Sequence, residues 1–170
     1  MHKPLAALSL CFFASGCVVA LGNSGAVADA LDAYEAEKEL HGVVKDFNEA
    51  YESGEIRAVF LESIAESDSV IVIGSLAEEW TVGIEAMREA MSAGGGEVKY
   101  IGRDLHSSEL QMSEGRGVGW LVEHADLHYE VAGEKKSLMG FRATSVWERV
   151  EGVWKIVHFH GSMPDAVNEI

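Results

Sequence analysis

The sequence predicts an α+β domain in which three N-terminal helices pack on one face of a curved antiparallel sheet. The chain has 170 residues, which is enough for one domain with a proper core and little else. Apolar residues fall at helical spacing in the first half, whereas the second half alternates in long segments joined by tight turns. A curved sheet wrapped on a long helix leaves a cone whose open mouth is a natural small-molecule pocket.

The helices are predicted from apolar spacing and from the residues at their ends. The first covers Asp29–Ser53, where apolar residues recur three and four apart; Asp29 can cap its start, and Gly54 stops it. A short second helix uses the apolar positions of Ile56–Ile64. A third uses those of Ile84–Met91, before the glycines at 94–96.

The strands are predicted from β-branched and alternating runs. A polar loop, Gly74–Gly83, separates the first strand from the third helix, and the turns at 132–134 and 151–152 join the last three strands as hairpins. The predicted strands are Ser69–Ile73, Glu97–Ile101, His106–Ser113, Gly117–Val131, Ser137–Val150 and Val153–Gly161.

The opening residues have the layout of an export signal. Lys3 precedes the apolar run Leu5–Phe13, and small residues follow it. Two processing sites compete. Lipidation of Cys17, in a segment that resembles a bacterial lipobox, would tether the domain to a membrane, whereas cleavage after Ala28 would release a soluble protein that begins at Asp29.

The predicted organisation has three parts and an envelope location. Residues 1–28 are a signal peptide or lipoprotein leader and tether, residues 29–164 are the domain, and residues 165–170 are a C-terminal tail. We expect the protein to be exported to the bacterial cell envelope, either lipid-anchored or soluble in the periplasm. Both cysteines lie in the leader, so the folded domain contains no internal disulfide.

The charge of the chain excludes one class of partner. Thirteen Lys and Arg residues stand against 28 Asp and Glu, a formal net charge of −15 at pH 7. Such a charge repels the phosphates of nucleic acids and anionic lipids. We therefore expect no nucleic-acid partner, and contact with a membrane only through the lipid anchor at Cys17.

The closing third of the chain carries a specific motif. Phe141–Trp147 and Glu151–Pro164 follow the pattern R-x-T, a strand, a D/E-G turn and then W-K-I-x-H-x-H-x-S-x-P. This pattern resembles the SnoaL-like group of the nuclear transport factor 2-like superfamily, and Glu79–Gly83 and Glu85–Arg88 resemble the same group's loop and third helix. The resemblance covers about Ala30 to Pro164. It implies the cone-shaped, cystatin-like fold but selects no activity, because the superfamily includes isomerases, cyclases, dehydratases, adaptors and oligomerisation hubs.

The same tail is also similar to the association domain of calcium/calmodulin-dependent protein kinase II. That family assembles into rings through the outer face of its sheet, which implies self-association here, at least as a homodimer. Ser145 and Gly161 stand where that domain carries pocket arginines, so its anion pocket is not reproduced.

The last strand supplies the leading candidates for a site, His158 and His160. Residues two apart in a strand share a face, so Trp154, Ile156 and both histidines are expected on one side. If that side faces the cone, the imidazoles lie about 7 Å apart beside Arg142 and suit a carboxylate-bearing ligand. If it faces outward, they belong to a dimer interface. Metal binding by the pair is the third alternative.

Trp80 and Trp120 are the aromatic candidates for a ligand site. Trp80 lies in the loop that tends to cover the cone mouth in this fold. Trp120 lies midway along the first long strand, where an ordinary place in the core is the alternative.

Whether the protein is an enzyme stays open at this point. The candidates for general acid–base catalysis are His106, His158 and His160. The acids and phenols of the sheet are interpreted as parts of solvated strand faces and hairpin ends; they are Asp104, Glu123, Asp126, Tyr100 and Tyr129. No metal-site motif is present, and we expect neither a metal nor a cofactor.

The predicted function is binding of a small apolar or amphipathic molecule in the cone, with self-association through the sheet. A lyase or isomerase that uses histidine acid–base chemistry is one alternative, and a pure oligomerisation or adaptor module is another. An enzyme requires an acid or base that projects into a water-excluded cavity. A module requires a filled cone and a large apolar patch on the outer sheet.

Overall fold

The structure is a computed structural model that describes residues 24–75, 79–93 and 98–164, with side chains from residue 32 onward. Three helices and a curved sheet make up these residues, which confirms the predicted α+β class. In chain order the elements are α1 (Ser24–Ser53), α2 (Ile56–Ser63), β1 (Ile71–Ile73), β2 (Trp80–Val82), α3 (Ile84–Ala93), β3 (Val98–Met112), β4 (Val118–Val131), β5 (Glu134–Val150) and β6 (Val153–Ser162).

The described strands form one mixed sheet in the order β2-β1-β6-β5-β4-β3. Strands β3 to β6 are an antiparallel meander, as predicted. Strand β1 pairs in parallel with β6, and β2 pairs antiparallel with β1, so the sheet is not purely antiparallel. The segment 74–83, predicted as a loop, contains the edge strand β2 because its backbone finds a partner in β1.

Helix α1 lies across the inner face of the sheet and forms the centre of the core with it. Leu40 and Phe47 of α1 are 0% and 3% exposed, and Trp147 and Ile156 of the sheet are both 0% exposed. The helix approaches β4 so closely that a Cβ placed on Gly119 would lie 2.3 Å from Leu40 Cδ2. A side chain at position 119 would therefore force Leu40 to shift.

The two predicted hairpins are confirmed, and each has a two-residue turn. Ala132 and Gly133 have φ values of 51° and 82°, and Glu151 and Gly152 have values of 50° and 84°. Two successive residues with positive φ define a type I′ turn, whose twist matches that of the flanking strands.

Bulges bend the long strands into the cone. In β3 the register shifts next to Ile101 and next to His106, so the two strands predicted here are one bent strand. A bulge in β5 contains Gly140, whose φ is 72°. In β6 the register shifts between Ile156 and His158, which leaves Val157 as an extra residue. Each extra residue locally increases the bend and twist of its strand.

The predictions about the leader and tail fall mostly outside the described residues. Cys17 and residues 165–170 lie there, whereas α1 begins at Ser24, five residues before the predicted start at Asp29. Within the described part of the chain, no helix is long and apolar enough to cross a membrane.

Candidate functional site

The cone encloses a cavity of about 440 Å³ between the inner face of the sheet and the three helices. Its wall is mainly apolar. The aromatic lining residues are Tyr51, Phe60, Tyr100, Phe141 and Phe159. The larger aliphatic ones are Ile56, Val72, Met87, Met91, Val98, Leu127 and Leu138. A volume of this size fits a small organic molecule.

The aromatic wall is held together by edge-to-face packing. Phe60 and Phe159 meet with ring centroids 5.0 Å apart and an interplanar angle of 80°. Tyr51 and Tyr100 meet at 5.9 Å and 88°. Such pairs hold the rings in fixed orientations, so the wall is preformed.

Few polar groups reach this cavity. Thr81 Oγ1 donates to the Val72 carbonyl at 3.2 Å, and Arg57 donates to the Met91 carbonyl. Glu79 and Ser75 also line the wall. The cavity wall therefore stays mainly apolar, with a few polar groups of the kind that orient ligands in small-molecule sites.

Of the two tyrosines, Tyr51 is buried and Tyr100 is partly buried. Burial is the main cause that raises the pKa of Tyr51, and the nearby Tyr100 and Glu123 raise it further, whereas Arg103 lowers it. Burial also raises the pKa of Tyr100. Both side chains, which line the cavity, therefore remain protonated at neutral pH.

A buried ion pair lies behind Tyr51. Arg103 Nη1 lies 3.3 Å from Glu123 Oε1, and the two side chains are 8% and 9% exposed. Asn48 Nδ2 and Ser108 Oγ donate to the same oxygen at 3.0 and 3.2 Å. The Arg103 guanidinium lies over the Tyr51 ring, 5.0 Å from its centroid. A water-sized void of about 10 Å³ adjoins this pair and shares Tyr51 with the large cavity.

The interpretation of Glu123 as a solvated strand residue is therefore wrong. Its carboxylate points inward with Leu121, Ala125 and Leu127, the apolar residues that alternate with it along β4. That alternation was the available signal, because an acid in phase with three buried residues needs a buried partner. The partner, Arg103, could not be read from the pattern of β4.

The ligand-site residues predicted from the sequence meet on the opposite, outer face of the sheet. Cross-strand pairing aligns them in two rows. One row runs through Trp80, Ile73, His160, Thr144 and Val122. The other runs through Val82, Ile71, His158, Val146 and Trp120. None of these residues lines the cavity described above.

The expectation that His158 and His160 share a face with Trp154 and Ile156 is wrong. Trp154 and Ile156 are buried under the helices, at 3% and 0% exposure. The extra residue Val157 then reverses the alternation, so both histidines face outward. Phe159, between them, faces the cavity.

Arg142 also lies on the outer face, opposite His124 on the neighbouring strand. Its Nη2 donates to the Met163 carbonyl at 3.3 Å. Arg142, His124 and His160 line an open cleft there. The carboxylate ligand was conditional on these side chains facing the cone, and they do not. The alternative, a dimer interface on this outer face, stays a prediction.

His106, the remaining catalytic candidate, lies in the β3 bulge and pairs with Asp126, Nε2 to Oδ2 at 3.0 Å. The Gly140 amide donates to Asp126 Oδ1 at 2.6 Å. This hydrogen bond, together with His106, lowers the pKa of Asp126 against the effect of its desolvation. The side chain of His106 is 43% exposed, so the pair has no enclosed space for a substrate.

Sequence reasoning missed most of the cavity wall because its residues come from distant parts of the chain. Tyr51 lies near the end of α1, Tyr100 near the start of β3, and Leu138 in β5. Within the described residues, no three His, Cys, Asp or Glu side chains converge in a way that could hold a metal ion.

The chain belongs to the SnoaL-like domain family, whose sequence model matches residues 41–166. The family predicted from the motif of the last two strands is thereby confirmed. Among curated proteins, no sequence matches this chain significantly.

Solved structures confirm the nuclear transport factor 2-like fold. A superfamily protein from Salmonella enterica serovar Typhimurium is 14% identical over 81% of this chain and 98% of its own, with a TM-score of 0.61. A candidate scytalone dehydratase from Novosphingobium aromaticivorans is 10% identical over 79% of this chain and 88% of its own, also with a TM-score of 0.61. A candidate calcium/calmodulin-dependent protein kinase II association domain from Xanthomonas campestris is 17% identical over 76% and 88%, with a TM-score of 0.59. At these identities the likeness establishes the fold alone.

Proposed function

We propose that the cone binds a small, largely apolar molecule with one polar end. The observation that carries this proposal is the cavity of about 440 Å³, whose wall combines five aromatic residues with a few polar groups. A pocket that is mostly apolar, with few convergent polar groups, is the usual form of a small-molecule site. The isomerases and dehydratases of this superfamily share the fold and are compatible with such a site.

The alternative of a histidine-based lyase or isomerase has less support. His158 and His160 lie on the outer face, and His106 pairs with Asp126 in a partly exposed bulge. General acid–base chemistry needs a group that reaches the substrate in an enclosed site. Binding is therefore the function that the geometry favours.

Filling the cavity tests the proposal. Leu138 lines the cavity, whereas its neighbour Met139 is 60% exposed. We expect Leu138→Trp to weaken binding of the uncharged fluorescent dye Nile red at least tenfold, because the indole occupies the space of the ligand. Met139→Trp, the matched control, should bind the dye as the unchanged protein does. Equal dye affinity in both variants would contradict a site in the cone.

We also propose that the domain pairs with itself through the outer face of the sheet. Support comes from Trp80, Val82 and Val122, large apolar residues on this face that are 60%, 51% and 47% exposed. Large apolar side chains that are this exposed are a feature of interaction surfaces. In sedimentation velocity, Val122→Glu should shift a dimer to the monomer. Tyr34→Glu, on exposed helix surface, should not; a dimer that survives Val122→Glu contradicts this interface.

Export to the cell envelope is the third part of the proposal, and it rests on the layout of residues 1–28. Mass spectrometry of the mature protein tests it directly. A diacylated N-terminal Cys17 supports the lipoprotein, and a free N-terminal Asp29 supports the soluble form. An intact Met1 in cells that process other exported proteins would contradict both.

A further inference from the structure

The charged residues at the wall of the cone affect whether it accepts a charged or a neutral ligand. This inference rests on the binding function proposed above. Arg57 and Glu79 both line the large cavity, where their fields oppose each other: Arg57 lowers the pKa of Tyr100 and Glu79 raises it, while burial has the larger effect. A ligand at this wall therefore meets charges of both signs.

The second pair of charged residues, Arg103 and Glu123 behind Tyr51, forms a salt bridge with each other. Arg103 Nη1 lies 3.3 and 3.4 Å from the two oxygens of Glu123. Asn48 and Ser108 add two donors to Glu123 Oε1. Because each charge has a buried partner, neither is available to compensate a charge that a ligand brings in.

Tyr51 is the polar group placed to receive the ligand. It is 9% exposed and lines both the large cavity and the small void. Within the described residues, no hydrogen bond engages its hydroxyl. Since a phenol is protonated at pH 7 and burial raises the pKa of this one further, the hydroxyl can donate to an oxygen atom of a bound molecule.

We propose that the cone receives its ligand through an uncharged oxygen, a ketone carbonyl or a hydroxyl, which accepts a hydrogen bond from Tyr51. A carboxylate on the same skeleton loses its hydration and meets the opposed charges of Arg57 and Glu79 at the wall, and the net charge of −15 repels it further. An ammonium group loses its hydration and meets the same opposed charges. The cone thus selects neutral compounds over both charged analogues.

Four probes with one ring system test this selectivity by isothermal titration calorimetry at pH 7. They are naphthalene, 2-acetylnaphthalene, 2-naphthoate and 2-naphthylmethylammonium. We expect the ketone to bind at least tenfold more tightly than either charged probe. Binding of a charged probe as tight as that of the ketone overturns the inference but leaves the cone as a binding site. If no probe binds, the proposed function fails, and the inference fails with it.

Two substitutions test the residues that the inference assigns. Tyr51→Phe should weaken the ketone about fivefold, the effect of one lost hydrogen bond, and leave naphthalene unchanged. Tyr129→Phe is the control, because Tyr129 packs on Tyr100 at 6.5 Å without lining the cavity. Equal ketone affinity in Tyr51→Phe and Tyr129→Phe overturns the role of Tyr51.

Glu123→Gln tests the closed ion pair. It leaves Arg103 with an uncompensated charge, so the affinity for 2-naphthoate should rise relative to that for the ketone. An unchanged ratio in a folded Glu123→Gln protein overturns the explanation of selectivity. If this variant does not fold, the probe series on the unchanged protein and the Tyr51→Phe comparison decide the inference.

Discussion

The ion pair between Arg103 and Glu123 should be one of the most sensitive points in the domain. We consider Arg103→Met, which keeps much of the length of the side chain but removes its charge. The substitution leaves the Glu123 carboxylate, at 9% exposure, without its cation. A buried charge that loses its partner is costly because neither water nor an opposite charge compensates it.

The size of the effect follows from the geometry. At the 3.3 Å between Arg103 Nη1 and Glu123 Oε1, the attraction is ~5 kcal/mol at an effective dielectric constant of about 20. The guanidinium over the Tyr51 ring contributes about 0.5–1 kcal/mol more. Asn48 and Ser108 still donate to the carboxylate, which offsets part of the loss. We expect the free energy of unfolding to fall by ~3–5 kcal/mol.

Urea unfolding followed by tryptophan fluorescence measures this loss. The control is Arg149→Met, which breaks an exposed pair with Glu39 at 2.9 Å, where the side chains are 41% and 47% exposed. Exposed pairs contribute about 0–1 kcal/mol. The double variant Arg103→Met/Glu123→Leu should recover most of the stability, because it removes both buried charges. If Arg103→Met costs no more than Arg149→Met, the reasoning is refuted.

Two further predictions concern the sheet. Because the Gly140 amide lowers the pKa of Asp126 below its ordinary 3.8, the carboxylate stabilises the fold above pH 3.8, and this contribution disappears as the pH falls through the lowered pKa. The stability gap between the unchanged protein and Asp126→Asn should therefore close below pH 3.8 in acid-unfolding curves, and a gap independent of pH would contradict this. Gly119→Ala should cost ~1–3 kcal/mol in urea unfolding, since its Cβ would lie 2.3 Å from Leu40 Cδ2. Gly117→Ala, with nothing within 4 Å, should stay within about 0.5 kcal/mol, and equal losses at both glycines would count against the close crossing.

The fold was predictable because its signals are local. Helix α1 follows from apolar spacing, and the hairpin turns follow from Gly133 and Gly152 at positions that need positive φ. The sequence predicts strand β1 but not its parallel pairing with β6. Pairing between segments that are far apart in the chain gives no local pattern in either segment. Strand β3 was divided in two since the polar residues near Gly102 resemble a break, whereas the structure bends through them.

The site was less predictable, for a reason that the last strand makes clear. The alternation of apolar and polar residues identifies the two faces of a strand only where no bulge interrupts it. The extra residue Val157 is not accompanied by a glycine or proline that would indicate a bulge in the sequence. Alternation therefore predicts that His158 and His160 share a face with Ile156, whereas in the structure Ile156 lies on the other face. The cavity wall posed a second difficulty, because a residue such as Tyr51 contacts β3 only after the chain has folded back over it.

Because of the bulge at Val157, the side chains of β6 contribute to two different surfaces. Before the bulge, Trp154 and Ile156 pack against the helices. After it, Phe159 faces the cavity, and His158 and His160 lie on the outer face. Mutations at the two histidines can therefore alter the outer surface of the sheet without changing the cavity. Mutations at Phe159 can alter the cavity without changing the outer surface. Adjacent residues of one strand can therefore change independently of each other, which suits a fold that is used for many ligands and many assemblies.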